Sequence, residues 1–351
     1  MAPAGSAMAA DMSEQPDTYA RLLDATNSAH IAEVAAQIAR RRPRRVTFTA
    51  RGTSAYAARY GSYLAEIRLG LPAGIAAPST VTLFGAEPGY ADELVIGVSQ
   101  SGRSPDLCEV VAAARRAGAS TVAITNDPTS PLAAAAEFVI DLAAGVERAL
   151  PATKTYTAEL LALLLLIEGI RAGDAALPRA ERDFLDTLPE LARRTLADTT
   201  ATEIAPRYRF ATSLVTTGRG YGYPTAMEVA HKIMETSALP VLAYSGADLL
   251  HGPVAIVNPG VPVLLISGTG PGGAAMGEVL ARLTTRNADV LAVGATDLPG
   301  TVGRLPVPEV DERYAPLLDI LPLQRLTLAL ALVRGCDPDA PEGITKVTPT
   351  R

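Results

Sequence analysis

The chain has 351 residues, 48% of them apolar, so it can bury a large core and has room for two domains. A formal net charge of −6, no Trp and 5% aromatics argue against a nucleic-acid surface or a base-stacking platform. The two cysteines, Cys108 and Cys336, are far apart and match no metal spacing, which fits a reduced cytoplasmic protein without metal or organic cofactor. The longest uninterrupted apolar run, 160–167, is too short to span a bilayer, so no membrane partner is expected.

Residues 1–11 are rich in Ala, Gly and Ser, lack a basic opening, and read as a disordered leader. Arg40-Arg41-Arg42 with Arg44 and Arg45 reads as the last turn of a helix before a strand. Short β-rich runs then alternate with Ala/Leu-rich helical stretches. Strands are expected over 46–50, 81–84, 94–98, 121–125 and 138–141, with helices such as 54–69 and 106–117 between them. That rhythm implies a parallel sheet covered on both faces. A break at Leu150-Pro151 precedes one long apolar helix over 154–172, and 179–205 reads as a charged helical bridge. The rhythm restarts with strands over 213–217, 241–244, 263–267, 290–293 and 305–307. The expected fold is therefore α/β, two doubly wound three-layer domains over 12–180 and 181–334, followed by a tail, 335–351. Ala50-Arg51-Gly52-Thr53-Ser54 and Thr217-Gly218-Arg219-Gly220 each follow a first strand, as an internal duplication would produce.

The turn Ser99-Gln100-Ser101-Gly102-Arg103-Ser104 links a strand to a helix start. Backbone N–H groups there, with the helix N-terminus, supply fixed positive potential, and hydroxyls add neutral donors, which suits a phosphate. A lone Ser104 would equally read as a helix cap. Gly52-Thr53-Ser54 opens the helix after the first strand, and ligands of open α/β sheets sit at such strand ends. No G-x-G-x-x-G or Walker lysine pattern occurs, which leaves a phosphate on a small molecule.

Glu228, Lys232 and Glu235 are spaced four and three apart on one helix face. They read either as a solvated ion pair or, because their flanks are small and apolar, as desolvated carboxylates with a pKa raised toward base duty. His251 precedes Gly252-Pro253 on a turn, where binding residues often sit. His30 and His231 read as structural or surface residues, and Lys346 lies in a polar tail.

In order, these motifs, with Ala152-Thr153-Lys154 between them, resemble a tandem of sugar isomerase (SIS) domains. They are similar to the isomerase half of glucosamine-6-phosphate synthase and to stand-alone SIS-type aminosugar-6-phosphate deaminases. The resemblance runs from residue 12 to the C-terminus. It implies that Gly52, Thr53, Ser54, Ser99, Gln100, Ser101 and Ser104 hold a sugar phosphate. Glu147, Ala152, Thr153 and Lys154 would line the sugar, and Glu228 and Lys232 would form a polar face. Glu235 would be the base between C1 and C2, His251 would open the ring from a partner subunit of a homodimer with a shared site, and Lys346 would form an imine. Arg51 departs from the cysteine common there, Asp248 from Glu, and Leu250 from the synthase's Lys. With no glutaminase segment read before residue 12, the expected reaction converts glucosamine 6-phosphate to fructose 6-phosphate and ammonia. The alternatives are dehydration of N-acetylglucosamine 6-phosphate, plain aldose–ketose isomerisation of a hexose 6-phosphate, and a non-catalytic sugar-phosphate sensor.

Overall fold

The computed structural model describes residues 3–174, 176–295 and 297–345. They divide into two compact units that interleave along the chain. The first is built on Gln15–Glu147 and Lys154–Pro189, the second on residues 3–14, Arg148–Thr153 and Glu190–Ile344. The boundaries therefore differ from a simple cut near residue 180, because two short segments belong with the later half of the sequence.

In the first unit the strands are β1 (Arg45–Ala50), β2 (Ala73–Ile75), β3 (Glu93–Val98), β4 (Ser120–Thr125) and β5 (Phe138–Asp141). They form one parallel sheet in the order β2-β1-β3-β4-β5. Apart from the first residue of β1 and of β3, β1, β3 and β4 are buried throughout, as expected of strands covered on both faces. Successive connections leave β1 toward opposite edges, so the order reverses between β1 and β3. Ala50 is in register with Val98, and Val98 with Ile124, so three carboxyl ends lie level beside that reversal. The helix Gly52–Leu64 lies close on β1 because a Cβ at Gly61 would fall 2.7 Å from the Phe48 ring. The Lys154–Ala172 helix is buried over most of its length against it and against the Ala25–Arg41 helix.

The strand expected over 81–84 is not formed. Ser79–Thr82 is a helical turn set up by Pro78, whose backbone is already helical, and Leu83 and Phe84 are exposed. With no strand to pair with and its last two side chains in solvent, this β-prone run gains little from an extended conformation. The strand pairing with β1 on that side is β2, from Ala73 to Ile75.

The second unit repeats the plan with β6 (Leu214–Gly218), β7 (Val241–Ser245), β8 (Pro262–Ile266), β9 (Asp289–Gly294) and β10 (Gly303–Pro306). The order β10-β9-β8-β6-β7 is the same connectivity, with β6 in the place of β1 and β8 in the place of β3. Two doubly wound units follow, as the rhythm of the sequence implied. The helix Ala315–Val333 packs on Gly222–Ser237 and has no counterpart among the elements expected from the sequence. It is long and apolar enough to cross a bilayer, yet 78% of its most apolar window is buried inside the protein, as in a core helix.

The leader is not disordered from residue 3 onward. Ser6–Ser13 is a helix with Met8 and Met12 buried, and Asp339 accepts hydrogen bonds from the N–H groups of Ala7 (2.8 Å) and Met8 (2.9 Å). Asp337 accepts one from Gly5. Composition alone misses this, because what orders the segment is a distant aspartate satisfying first-turn donors.

Candidate active site

In the first unit, the β1–β3 register sets the two hydroxyl-bearing turns side by side at neighbouring strand ends, about 5 Å apart. Gly52 begins its helix at a φ of 52°, and Thr53 is half-buried beside it. Ser54 is buried, and its Oγ donates to Glu159 Oε1 at 2.7 Å, so that hydroxyl is directed to a carboxylate of the protein. In the second turn, Ser99 Oγ accepts from Gly102 N at 3.1 Å and Ser101 Oγ from Arg103 N at 3.4 Å. Both hydroxyl protons remain available to an outside acceptor. Ser104 occupies the N-cap of the helix Pro105–Arg116 without a side-chain capping bond, so its hydroxyl is not used as a cap.

Gln100 holds the turn through its carbonyl, which accepts from Asn126 N, and it lines a cavity of about 540 Å³ with Arg21, Asn126, Asp141 and Glu147. Glu147 is itself buried and accepts from Thr155 N (2.8 Å) and Thr155 Oγ1 (2.5 Å). Lys154 is fully buried at the first position of its helix. Thr153, in the second unit, is buried with its carbonyl accepting from Gln324 Nε2, and Ala152 beside it is half-buried.

The Gly222–Ser237 helix carries the other expected group. Glu228 and Lys232 are buried, and Lys232 Nζ lies 3.8 Å from Glu228 Oε1 and pairs with Glu235. His231 Nε2 lies 3.0 Å from Glu235 Oε1. A solvated surface pair is thus ruled out. The expected rise in the Glu235 pKa is also overturned. Burial pushes it up, but the His231 hydrogen bond and the Lys232 charge outweigh burial and hold the carboxyl at about 2. His251 is exposed at the C-terminal end of Gly246–Leu250, where its N–H donates to Asp248 O. Its ring makes no hydrogen bond or ion pair among the described residues. Lys346 lies outside the described residues.

Sequence reasoning missed three contacts. The His231 partnership was signalled only by an i,i+4 spacing to Glu235. Glu159 is hidden in an apolar helix. Arg51 donates through Nε to Asp106 Oδ2 at 2.8 Å, with Nη2 at 2.7 Å from the same oxygen. Among the described residues no group of three or more His, Cys, Asp or Glu could hold a metal ion.

The chain matches the SIS domain model over residues 40–169 and 208–301. The glutamine–fructose-6-phosphate aminotransferase (isomerizing) of Gloeobacter violaceus is 34% identical over 317 residues, 86% of this chain and 51% of that protein. The chain thus spans about half the length of the curated relatives it matches. A crystal structure from Silicibacter pomeroyi, provisionally described as a phosphosugar isomerase, is 34% identical with a TM-score of 0.87, covering 95% of this chain and 99% of that one. The C-terminal domain of glucosamine-fructose-6-phosphate aminotransferase from Francisella tularensis has a TM-score of 0.85 at 22% identity, over 95% and 98% of the two chains, a likeness of fold.

Proposed function

This chain belongs to the SIS domain family, and from that premise we propose that it is an enzyme of the phosphosugar isomerase type whose substrate is an aminosugar 6-phosphate. The observation that carries the reading is the pair of hydroxyl-bearing turns at adjacent strand ends in the first unit. They offer neutral donors and helix N-termini to a phosphate but no nucleotide-binding pattern.

In the proposed reaction the ring of glucosamine 6-phosphate opens with help from His251. Glu235 takes the C2 proton, and the resulting enolamine is reprotonated at C1 to give the ketimine. Water adds at C2, its oxygen becomes the ketone, and ammonia leaves, so fructose 6-phosphate is the second product. A carboxyl held near 2 is ionised at physiological pH but is a weak base, so the transfer requires substrate to loosen its contacts with His231 and Lys232, while the cation of Lys232 favours the charge that develops. Lys346 is proposed to form an imine with the open-chain ketose. We place this chemistry in the cytoplasm and in a homodimer. The exposed apolar side chains Met234, Leu242 and Ile256 of the second unit support a partner surface.

The test is product analysis on the fraction at twice the chain mass. Glucosamine 6-phosphate should yield ammonia and fructose 6-phosphate in equal amounts, and Glu235→Gln should slow this by about 100- to 10,000-fold. Ketose phosphate without ammonia, or loss of one water from the N-acetyl sugar, would redirect the assignment to isomerisation or dehydration. Binding with no product would leave a sensor. Full activity at single-chain mass would overturn the dimer.

A further inference from the structure

Resting on the sugar-phosphate reading, we propose that Arg51 is the charged member of the phosphate cradle in the first unit, held in place by Asp106. Arg51 is the residue that follows β1, and the pairing of Ala50 with Val98 sets it beside Ser99, the residue that follows β3. Its side chain ends on Asp106, at the second position of the helix that the 99–104 turn opens. An arginine anchored at the end of β1 and bonded to the first turn of that helix must run alongside the turn between those two points.

The bonding pattern leaves part of the guanidinium for a ligand. Nε and Nη2 both engage Asp106 Oδ2, and Asp106 Oδ1 accepts from Leu107 N. Nη1 has no partner among the described residues, and the Arg51 side chain is 50% exposed while Asp106 is fully buried. The buried carboxylate is the anchor and the half-exposed arginine is the part that faces outward. The turn itself supplies only hydroxyls and N–H groups, so a phosphate dianion there would otherwise meet no full positive charge from Gly52–Ser54 or Ser99–Ser104 except the exposed Arg103, which points to Asp127 at 3.4 Å. A guanidinium with a fixed plane suits phosphate oxygens better than a mobile ammonium.

Titration calorimetry of the full chain with glucosamine 6-phosphate, and with unphosphorylated glucosamine as the control, tests this. Arg51→Met should weaken binding of the phosphorylated sugar by about 10- to 100-fold and leave the control unchanged. Arg51→Lys should recover part of the loss. Asp106→Asn, which keeps the guanidinium but loosens its anchor, should fall between Arg51→Met and wild type. Removing Arg51 alone strands a buried carboxylate and threatens folding, so the double variant Arg51→Met with Asp106→Leu carries the same test without that penalty. Wild type that ignores glucosamine 6-phosphate overturns the underlying reading. Wild type that binds it, with the folded double variant binding equally well, overturns the role of Arg51 alone.

Discussion

After β3 the chain lays down Ser99, Gln100, Ser101 and Ser104. After β8, which holds the same place in the second unit, it lays down Ser267, Gly268, Thr269, Gly270, Pro271, Gly272 and Gly273. Both segments leave a central strand beside the point where strand order reverses, and both lead into helical turns. In the first unit the hydroxyls of Ser99 and Ser101 accept from the N–H groups of Gly102 and Arg103 and keep their protons. In the second, the carboxylate of Glu312 lies in the turn, with Oε2 accepting from Gly272 N at 3.2 Å and Oε1 from Gly273 N at 3.0 Å. The glycines are required by that carboxylate: a Cβ at Gly270 or Gly272 would fall 2.2 Å from one of its oxygens. One duplicated strand end carries hydroxyls, and the other carries an acid of its own. Sequence similarity between halves therefore does not imply two equivalent ligand sites, because a single residue from a following loop can satisfy the donors that a ligand would need.

The comparison can be broken most forcefully at Gly102, which has a φ of 62° and whose Cβ would fall 2.1 Å from Ser130 Oγ. Gly102→Ala should distort the serine turn and cost about 2–5 kcal/mol, combining left-handed strain with overlap. Urea unfolding checks the stability, and loss of sugar-phosphate binding checks the turn. A smaller effect is expected at the opposite strand end. Glu312→Ala strands two N–H groups and should cost about 1–3 kcal/mol without lowering turnover of the folded fraction. An unchanged melting temperature would show that the carboxylate is not what satisfies that turn.

A pH-dependent effect belongs to Asp319, buried on the Ala315–Val333 helix. Burial, and then the charge of Glu312, push its carboxyl up to about 8. The folded state thus holds this proton more tightly than the unfolded chain, in which an aspartate titrates near 4. The stabilising contribution is complete below that value and is lost as pH rises toward 8. Asp319→Asn should flatten the decline in melting temperature between about pH 5 and 8. Glu312→Ala should move the decline to lower carboxyl pKa, which ties the acid in the turn to the acid beneath it.

The strands were readable where β-branched runs coincided with burial on both faces, as in β1, β3, β4 and β9. They were misread at 81–84, where Val, Thr, Leu and Phe look like a strand but no strand pairs with them and Leu83 and Phe84 are exposed. The hydroxyl turns were legible because the chemistry is local: Ser99 to Ser104 lie within one loop. Glu312 was illegible for the opposite reason, since it reaches Gly272 and Gly273 from about 40 residues away. The sign of the Glu235 shift was likewise hidden. Apolar flanks announce burial, but the sequence does not show that His231 turns its ring to the carboxylate and outweighs that burial.

The contact of Gly5, Ala7 and Met8 with Asp337 and Asp339 joins positions 332 and 331 residues apart. In polymer terms the second unit is a closed loop with its clasp at one spot. Anything attached ahead of residue 5 would leave the molecule from the same spot as the chain beyond 339. A domain or affinity tag fused ahead of residue 5 would therefore stand beside Asp337 and Asp339, and its bulk would bear directly on that clasp.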